Sequence, residues 1–313
     1  LSSRASEYAS KSKIRVHIGT YNVNGRVPSG ESLSSFLRIS PDDEPDIIAL
    51  GIQEIVELTP TQIMSADTEK RLIWQREVQA HLGKVYTSSK YVALTSEQLV
   101  GAAMLIYVRK ENILRIRDIQ VSTKKTGLKG MAGNKGGIGI RFDFDDTSIC
   151  LVTAHLAAGS SNFEERNDDY RTITNGIRFS KGRTIDDHDH IIWFGDFNYR
   201  INLDLTNLSY KVMDCIYNQQ LAELLIHDQL VQQLREGKAF QGFQEGIINF
   251  NPTYKYDNGT DTYDTSEKQR RPAWTGKPHA RKVLRASLTP STYCRSNPLP
   301  REGGNESSTF NGT

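Results

Sequence analysis

Cysteine is scarce: Cys150, Cys215 and Cys294 are the only three in 313 residues, widely spaced and odd in number. They build neither a disulfide framework nor a zinc site, and a reducing, cytosolic setting is expected. No apolar run approaches membrane-spanning length, and the polar stretch Leu1–Lys13 has no signal-peptide core. Excess charge is missing too. Lys and Arg number 39 against 37 Asp and Glu, a net charge of +2, which argues against binding nucleic acid through bulk positive charge. The first residue is not Met, so we expect a part of a larger multidomain protein.

What is present alternates. The chain is 37% hydrophobic and 24% charged, enough for one large core or two modest ones. Strands are predicted at Lys13–Tyr21, Pro45–Ile55, Val100–Arg109, Gly137–Phe144, Ser148–His155 and His190–Phe194. Of these, Pro45–Ile55 is nearly continuous in apolar residues, as in a strand buried on both faces. Helices are predicted around Ser65–Leu82 and over Glu164–Phe179 and Tyr210–Glu236. Strands and helices interleave without an obvious linker or repeat, which favours one α/β domain over residues 13–275. Residues 1–12 are expected to be a disordered leader. From Gly276 to Thr313 the sequence loses periodicity and is expected to be coil.

Four of the predicted strands end in a polar cluster: Tyr21-Asn22-Val23-Asn24-Gly25, Gln53-Glu54, Thr153-Ala154-His155 and Gly195-Asp196-Phe197-Asn198. Singly, each has an ordinary explanation. Asn-x-Asn-Gly is a common turn, Glu54 can be a surface acid, His155 a hydrogen-bonded core histidine, and Asp196 with Asn198 an Asx turn. Together they form a chemical set. Asn22 and Glu54 are hard oxygen ligands suited to Mg²⁺. Asp196 can deprotonate a water, and Asn198 and His155 can donate to phosphoryl oxygens as charge develops. That set suits metal-assisted phosphoester hydrolysis.

The string Ile192–Arg200 (IWFGDFNYR) resembles the first signature of the inositol polyphosphate 5-phosphatases, and Arg271–Trp274 (RPAW) resembles the opening of the second. Further matches lie at Gly19–Gly25, Gln53-Glu54, Thr126–Gly137, Thr153–Leu156 and Pro252–Arg271, and the flavour is similar to synaptojanin-type phosphatase modules. The resemblance implies a DNase I-like four-layer sandwich of two mixed β-sheets flanked by helices. It implies that Glu54 and Asn22 hold Mg²⁺, that Asp196 activates water with help from Asn198, and that His155 bonds a phosphoryl oxygen. Asn134 and Lys135 would approach the substrate, and Tyr254, Lys255, Lys268 and Arg270 would grip a neighbouring 4-phosphate. Phosphoinositide head groups or soluble inositol phosphates are the implied partners, with a cytoplasmic location and peripheral membrane contact.

The resemblance breaks at residue 276. The second signature should continue with Asp-Arg and an apolar strand, and a later Ser-Asp-His should follow; instead the chain reads Gly276-Lys277-Pro278-His279, with no Ser-Asp-His after Trp274. The last strands are therefore expected to be missing and this chain to be crippled as an enzyme. An inositol-phosphate-binding module without turnover is one alternative, and a DNase I-like nuclease is another.

Overall fold

Short apolar runs closed by polar tips become strands, and the amphipathic stretches between them become helices. The computed structural model describes residues 12–28, 33–37, 39–57, 68–88, 90–127, 132–202 and 208–282. Among these, the strands are β1 (Val16–Asn22), β2 (Ile47–Gln53), β3 (Tyr91–Leu99), β4 (Ala102–Arg109), β5 (Ile116–Thr126), β6 (Ala132–Phe144), β7 (Thr147–His155), β8 (His190–Asp196), β9 (Gln244–Glu245) and β10 (His279–Lys282). The helices are α1 (Ser34–Leu37), α2 (Glu69–Val85), α3 (Phe163–Gly176), α4 (Leu208–Tyr217), α5 (Leu221–Ile226) and α6 (Gln229–Arg235). The leader up to residue 11, residues 65–67 of the first predicted helix, residues 128–131 of the Gly-rich run and the tail from 283 lie outside the described residues.

Two sheets form, in the orders β1-β2-β4-β3 and β5-β6-β7-β8-β10-β9. Each is mixed: β1 with β2 and β7 with β8 are parallel, and the remaining pairs are antiparallel. The inner faces meet in a dry layer where Ala49, Met104 and Ile106 of the first sheet pack with Ile138, Ile140, Leu151 and Phe194 of the second. Trp74, Val78 and Leu82 of α2 cover the outer face of the first sheet on Ile48, Leu50 and Ile52. Ile173 of α3, Leu230 of α6 and the Phe240 ring cover the second on Val152, Ala154 and Trp193. The result is four layers, helix–sheet–sheet–helix, as the resemblance implies. The continuous apolar run of β2 is buried at every position because both of its faces are covered.

Three features depart from the sequence reading. The strands β3 and β5 were not legible. Both are sheet edges, half exposed and rich in polar residues, so alternation is diluted where one side faces water. The predicted helix Tyr210–Glu236 is three helices. Gln219 adopts a left-handed φ of 57° after α4, and Asp228 restarts the chain by accepting from the Leu230 and Val231 amides as the N-cap of α6.

The third departure overturns the expectation of coil at residues 279–282, while the tail from 283 lies outside the described residues. Residues 279–282 form β10, paired with β8 from His279↔Trp193 to Lys282↔His190 and on its other side with β9. Just before it, the Phe197 amide donates to the Thr275 carbonyl at 2.8 Å and the Lys277 amide to the Gly195 carbonyl at 3.1 Å. The sequence concealed this strand because its inward groups are polar. Lys277 is fully buried between Asp228 at 3.0 Å and Glu245 at 3.5 Å, and His279 packs against the Phe197 and Phe240 rings. A buried ammonium is tolerated only with charge partners in place, and these come from elements distant in sequence.

Burial drives the His279 imidazole down to about 3, with Lys277 adding to the effect. In the unfolded chain it takes its proton near 6.5. The folded pKa is the lower one, so the contribution of neutral His279 is fully present above about 6.5 and is lost progressively as pH falls from there towards 3. Asp228 and Glu245, whose carboxyls burial pushes up, act in the opposite sense. We therefore expect His279→Leu to flatten the loss of unfolding free energy measured by urea titration from about pH 7 to about pH 5. A variant with the parental slope would show that His279 is not the proton acceptor.

Candidate functional site

Register does most of the assembly. In the first sheet the parallel pair places Asn22 opposite Gln53, with Glu54 the next residue. In the second, the parallel pair places His155 opposite Asp196. All four polar tips are strand C-termini, and the facing sheets bring them to one edge. The sheets can approach because Gly51 lacks a side chain: a Cβ there would lie 2.3 Å from Thr153 Oγ1 and 2.9 Å from the Phe194 ring.

The Asn22 amide nitrogen donates to Glu54 Oε1 at 3.0 Å and to Asp196 Oδ2 at 3.2 Å, so one side chain bridges the two sheets. Its oxygen accepts from the Asn24 amide at 3.2 Å. His155 Nε2 lies 3.7 Å from Asp196 Oδ2 and 4.0 Å from Glu54 Oε1. The Lys135 ammonium meets the same imidazole nitrogen. Asn198 is fixed at both ends of its side chain. Its amide nitrogen donates to the Leu156 carbonyl at 3.0 Å, and its oxygen accepts from Arg200 Nη2 at 2.6 Å. The Asn198 backbone amide donates to Asp196 Oδ1 at 3.1 Å.

Burial sets the protonation states. It pushes the Lys135 ammonium down to about 8, against the carboxylates of Asp196 and Glu54. It drives His155 down to about 3, helped by Lys135, which keeps the imidazole neutral. Burial also opposes the charged form of Asp196, but His155, Lys135, Arg200 and the Asn22 amide outweigh it and hold the carboxyl below its usual range. The neutral imidazole contributes a dipole, and the net positive charge comes from Lys135 and Arg200. The edge therefore presents an ionised carboxylate beside a partly desolvated cation.

The other predicted residues are arranged differently. Asn134 lies two residues before Gly136, which pairs with His155, and its buried side-chain oxygen has no partner among the described residues. Tyr254 pairs with Ala273 through backbone bonds, and its ring lies 4.0 Å beneath the Arg200 guanidinium. Lys255 is half exposed and Lys268 exposed on the same loop. Arg270 is turned onto Asp264, donating from Nη1 at 3.2 Å and from its backbone amide at 2.9 Å. Of this group, Tyr254 touches the central cluster, through Arg200. Arg200 itself received no role in the sequence reading, although it ends the quoted signature. A cation four residues after the buried Asp196 was the available signal.

The donor set suits a hard cation. Among the described residues no group of three or more His, Cys, Asp and Glu forms a metal cage, but Mg²⁺ keeps several waters and needs only one or two carboxylates. Glu54 and Asp196 converge on the Asn22 amide, whose N–H₂ occupies the bridging position of an electropositive group. A half-turn of that amide presents its oxygen to the same place.

The sequence profile of "Endonuclease/Exonuclease/phosphatase family 2" matches residues 19–296. The chain belongs to this family. The match continues past Thr275, where the second signature breaks. Inositol-1,4,5-trisphosphate 5-phosphatase 1 of Schizosaccharomyces pombe is 44% identical over 296 residues, covering 94% of this chain and 26% of the relative. Human synaptojanin-2 is 42% identical over 294 residues, covering 88% and 19%. This chain thus spans about a quarter or less of the length of these relatives. The inositol polyphosphate 5-phosphatase domain of SPsynaptojanin, solved with inositol (1,4)-bisphosphate and a calcium ion, superposes with a TM-score of 0.82 at 42% identity, covering 90% of this chain and 80% of that one. A Cimex nitrophorin superposes at 0.64 with 19% identity and shares the fold alone. No helix among the described residues is long and apolar enough to cross a membrane.

Gly195 leads directly into Asp196 through a backbone conformation that favours glycine. Its φ of 140° and a Cβ that would stand 2.1 Å from the Ala154 carbonyl oxygen exclude a side chain. Gly195→Ala is expected to cost more than about 1 kcal/mol of stability. Thermal melts comparable with the parent would show that the strand end tolerates a methyl group.

Proposed function

We propose that this site performs Mg²⁺-dependent hydrolysis of the 5-phosphate of phosphatidylinositol 4,5-bisphosphate and related phosphoinositides or inositol polyphosphates, at the cytoplasmic surface of membranes. The convergence of Asn22, Glu54, His155 and Asp196 at the edge of the two sheets carries the reading, supported by 44% identity to a relative named as an inositol-trisphosphate 5-phosphatase and 42% to a solved inositol polyphosphate 5-phosphatase domain. Bound Mg²⁺ would supply Lewis acidity to the scissile phosphate. Glu54 and Asn22 would hold it. Asp196, ionised and fixed by Asn22 and the Asn198 amide, would accept a proton from the attacking water. His155, neutral, would offer an N–H at Nε2 to a phosphoryl oxygen once the Lys135 ammonium turns from that nitrogen to the phosphate. Lys135 would stabilise the charge that develops there, and burial strengthens this effect. Lys255, Lys268, Tyr254 and Arg270 are proposed to receive the neighbouring 4-phosphate, which Arg270 would meet by turning off Asp264.

A second reading, a binding module with little turnover, is favoured by one position. Gly276 stands where the resembled signature has Asp, and it forms a β-bridge with Asp196 itself. The missing carboxylate would then reduce turnover without removing the binding residues. The backbone there accepts a side chain: a Cβ at Gly276 would meet Thr20 Cγ2 at 3.4 Å and the Gly195 carbonyl at 3.8 Å.

The test is phosphate release from vesicles carrying phosphatidylinositol 4,5-bisphosphate, with and without Mg²⁺. Gly276→Asp is expected to fold and to raise kcat by one to several orders of magnitude, roughly 10-fold or more, as for a restored charge-oriented group. Asp196→Ala in the Gly276→Asp background should cut kcat by about 10²–10⁴-fold with little change in KM. Binding of the head group without turnover by both Gly276 proteins would establish the module. Neither binding nor turnover would refute both readings.

A further inference from the structure

The corner that carries Asn22 and Glu54 is built from backbone that side-chain-bearing residues seldom adopt. Asn24 has a φ of 48°, Gly25 of 74° and Glu54 of 51°, all in the left-handed region. Such a corner persists only where its surroundings over-determine it. On its inner side the two segments bond to each other, Val23 N to the Gln53 carbonyl at 2.9 Å and Gly25 N to the Glu54 carbonyl at 2.6 Å. Gly25 has no room for a side chain, since a Cβ would lie 2.7 Å from Glu57 Cγ.

The outer side is held by helix α2. Lys70 Nζ donates to the Gly25 carbonyl at 2.5 Å, and Trp74 Nε1 donates to the Arg26 carbonyl at 3.1 Å. Residues four apart lie one above the other on a helix, so a single face of α2 grips two consecutive carbonyls of the turn. The helix is itself rooted: Val78 and Leu82 are buried on the first sheet, and Arg71 bonds Ser96 of β3. A lysine near the start of a surface helix is ordinarily solvated. Here its ammonium is spent on one backbone carbonyl, and that carbonyl lies three residues from Asn22.

We propose that Lys70 is a positioning residue for the cation site. With Trp74 it clamps the turn Asn22–Arg26, so that the Asn22 amide and the Glu54 carboxylate keep the separation a hard cation requires. Lys70 touches neither cation nor substrate and acts through the backbone of the turn. This inference rests on the reading of Asn22 and Glu54 as the Mg²⁺ ligands.

The experiment titrates the full chain with Mg²⁺ alone by calorimetry, beside unfolding of the metal-free proteins. Lys70→Met is expected to weaken Mg²⁺ binding about tenfold, the lower end of the loss seen when groups supporting metal ligands are removed, with little change in the metal-free unfolding midpoint. Lys70→Arg should recover most of the affinity by restoring a charged donor. Trp74→Phe, which keeps the ring and deletes the N–H, should give a smaller loss of the same kind. Parental affinity in Lys70→Met overturns the clamp and leaves the ligand assignment standing. Weak binding that tracks a large loss of metal-free stability, without recovery in Lys70→Arg, also overturns it. A parent chain that binds no Mg²⁺ overturns the clamp and the ligand assignment together.

Discussion

The Asn22 amide joins carboxylates that belong to different sheets, and it can do so only if the sheets are held at one separation. That separation is set by the dry layer behind the site, where Gly51 admits Thr153 and the Phe194 ring. Protein interiors are close-packed and deform little, so the apolar contacts between the sheets fix the polar geometry at their edge. Neither sheet alone presents the set. Glu54 and Asn22 belong to one, His155 and Asp196 to the other.

The same packing makes the electrostatics work. His155 and Asp196 are buried at the end of a parallel pair, and Lys135 is drawn in beside them, so burial has a large effect on each protonation state. An ionised Asp196 in such a place would be costly in isolation. It is sustained by the Asn22 amide, the Asn198 amide, Lys135 and Arg200. The site is thus a cluster in which each member lowers the cost of burying the next. Arg200 extends it outward, since it bonds Asn198 and lies over Tyr254, the first residue of the basic loop.

How much of this was legible depended on where each signal lay along the chain. β1, β2, β7 and β8 carry dense apolar runs ending in polar residues, so Asn22, Glu54, His155 and Asp196 could be picked out before their proximity was known. Their convergence could not be derived from the runs, because register between strands far apart in sequence leaves no local trace; the family resemblance supplied it. The edge strands β3 and β5 escaped because solvent on one side dilutes their pattern. The role of Lys70 was invisible for another reason. Nothing in the sequence Glu69-Lys70-Arg71 distinguishes a lysine aimed at a carbonyl from one in water.

The segment 276–282 shows the limit of apolar patterning most clearly. Gly-Lys-Pro-His-Ala-Arg-Lys looks like a solvated loop, yet Lys277 and His279 are fully buried and the segment completes the sheet between β8 and β9. Its burial is conditional on charge: Asp228, already engaged as a helix cap, and Glu245 face the Lys277 ammonium. Removing the cation would leave two carboxylates in a dry pocket, whereas an apolar residue at 277 with both acids replaced could be neutral or better. The segment therefore folds in as a unit with its two acidic partners. Through the Lys277 amide bonded to the Gly195 carbonyl, the residue before Asp196, it braces the strand end on which the candidate site depends.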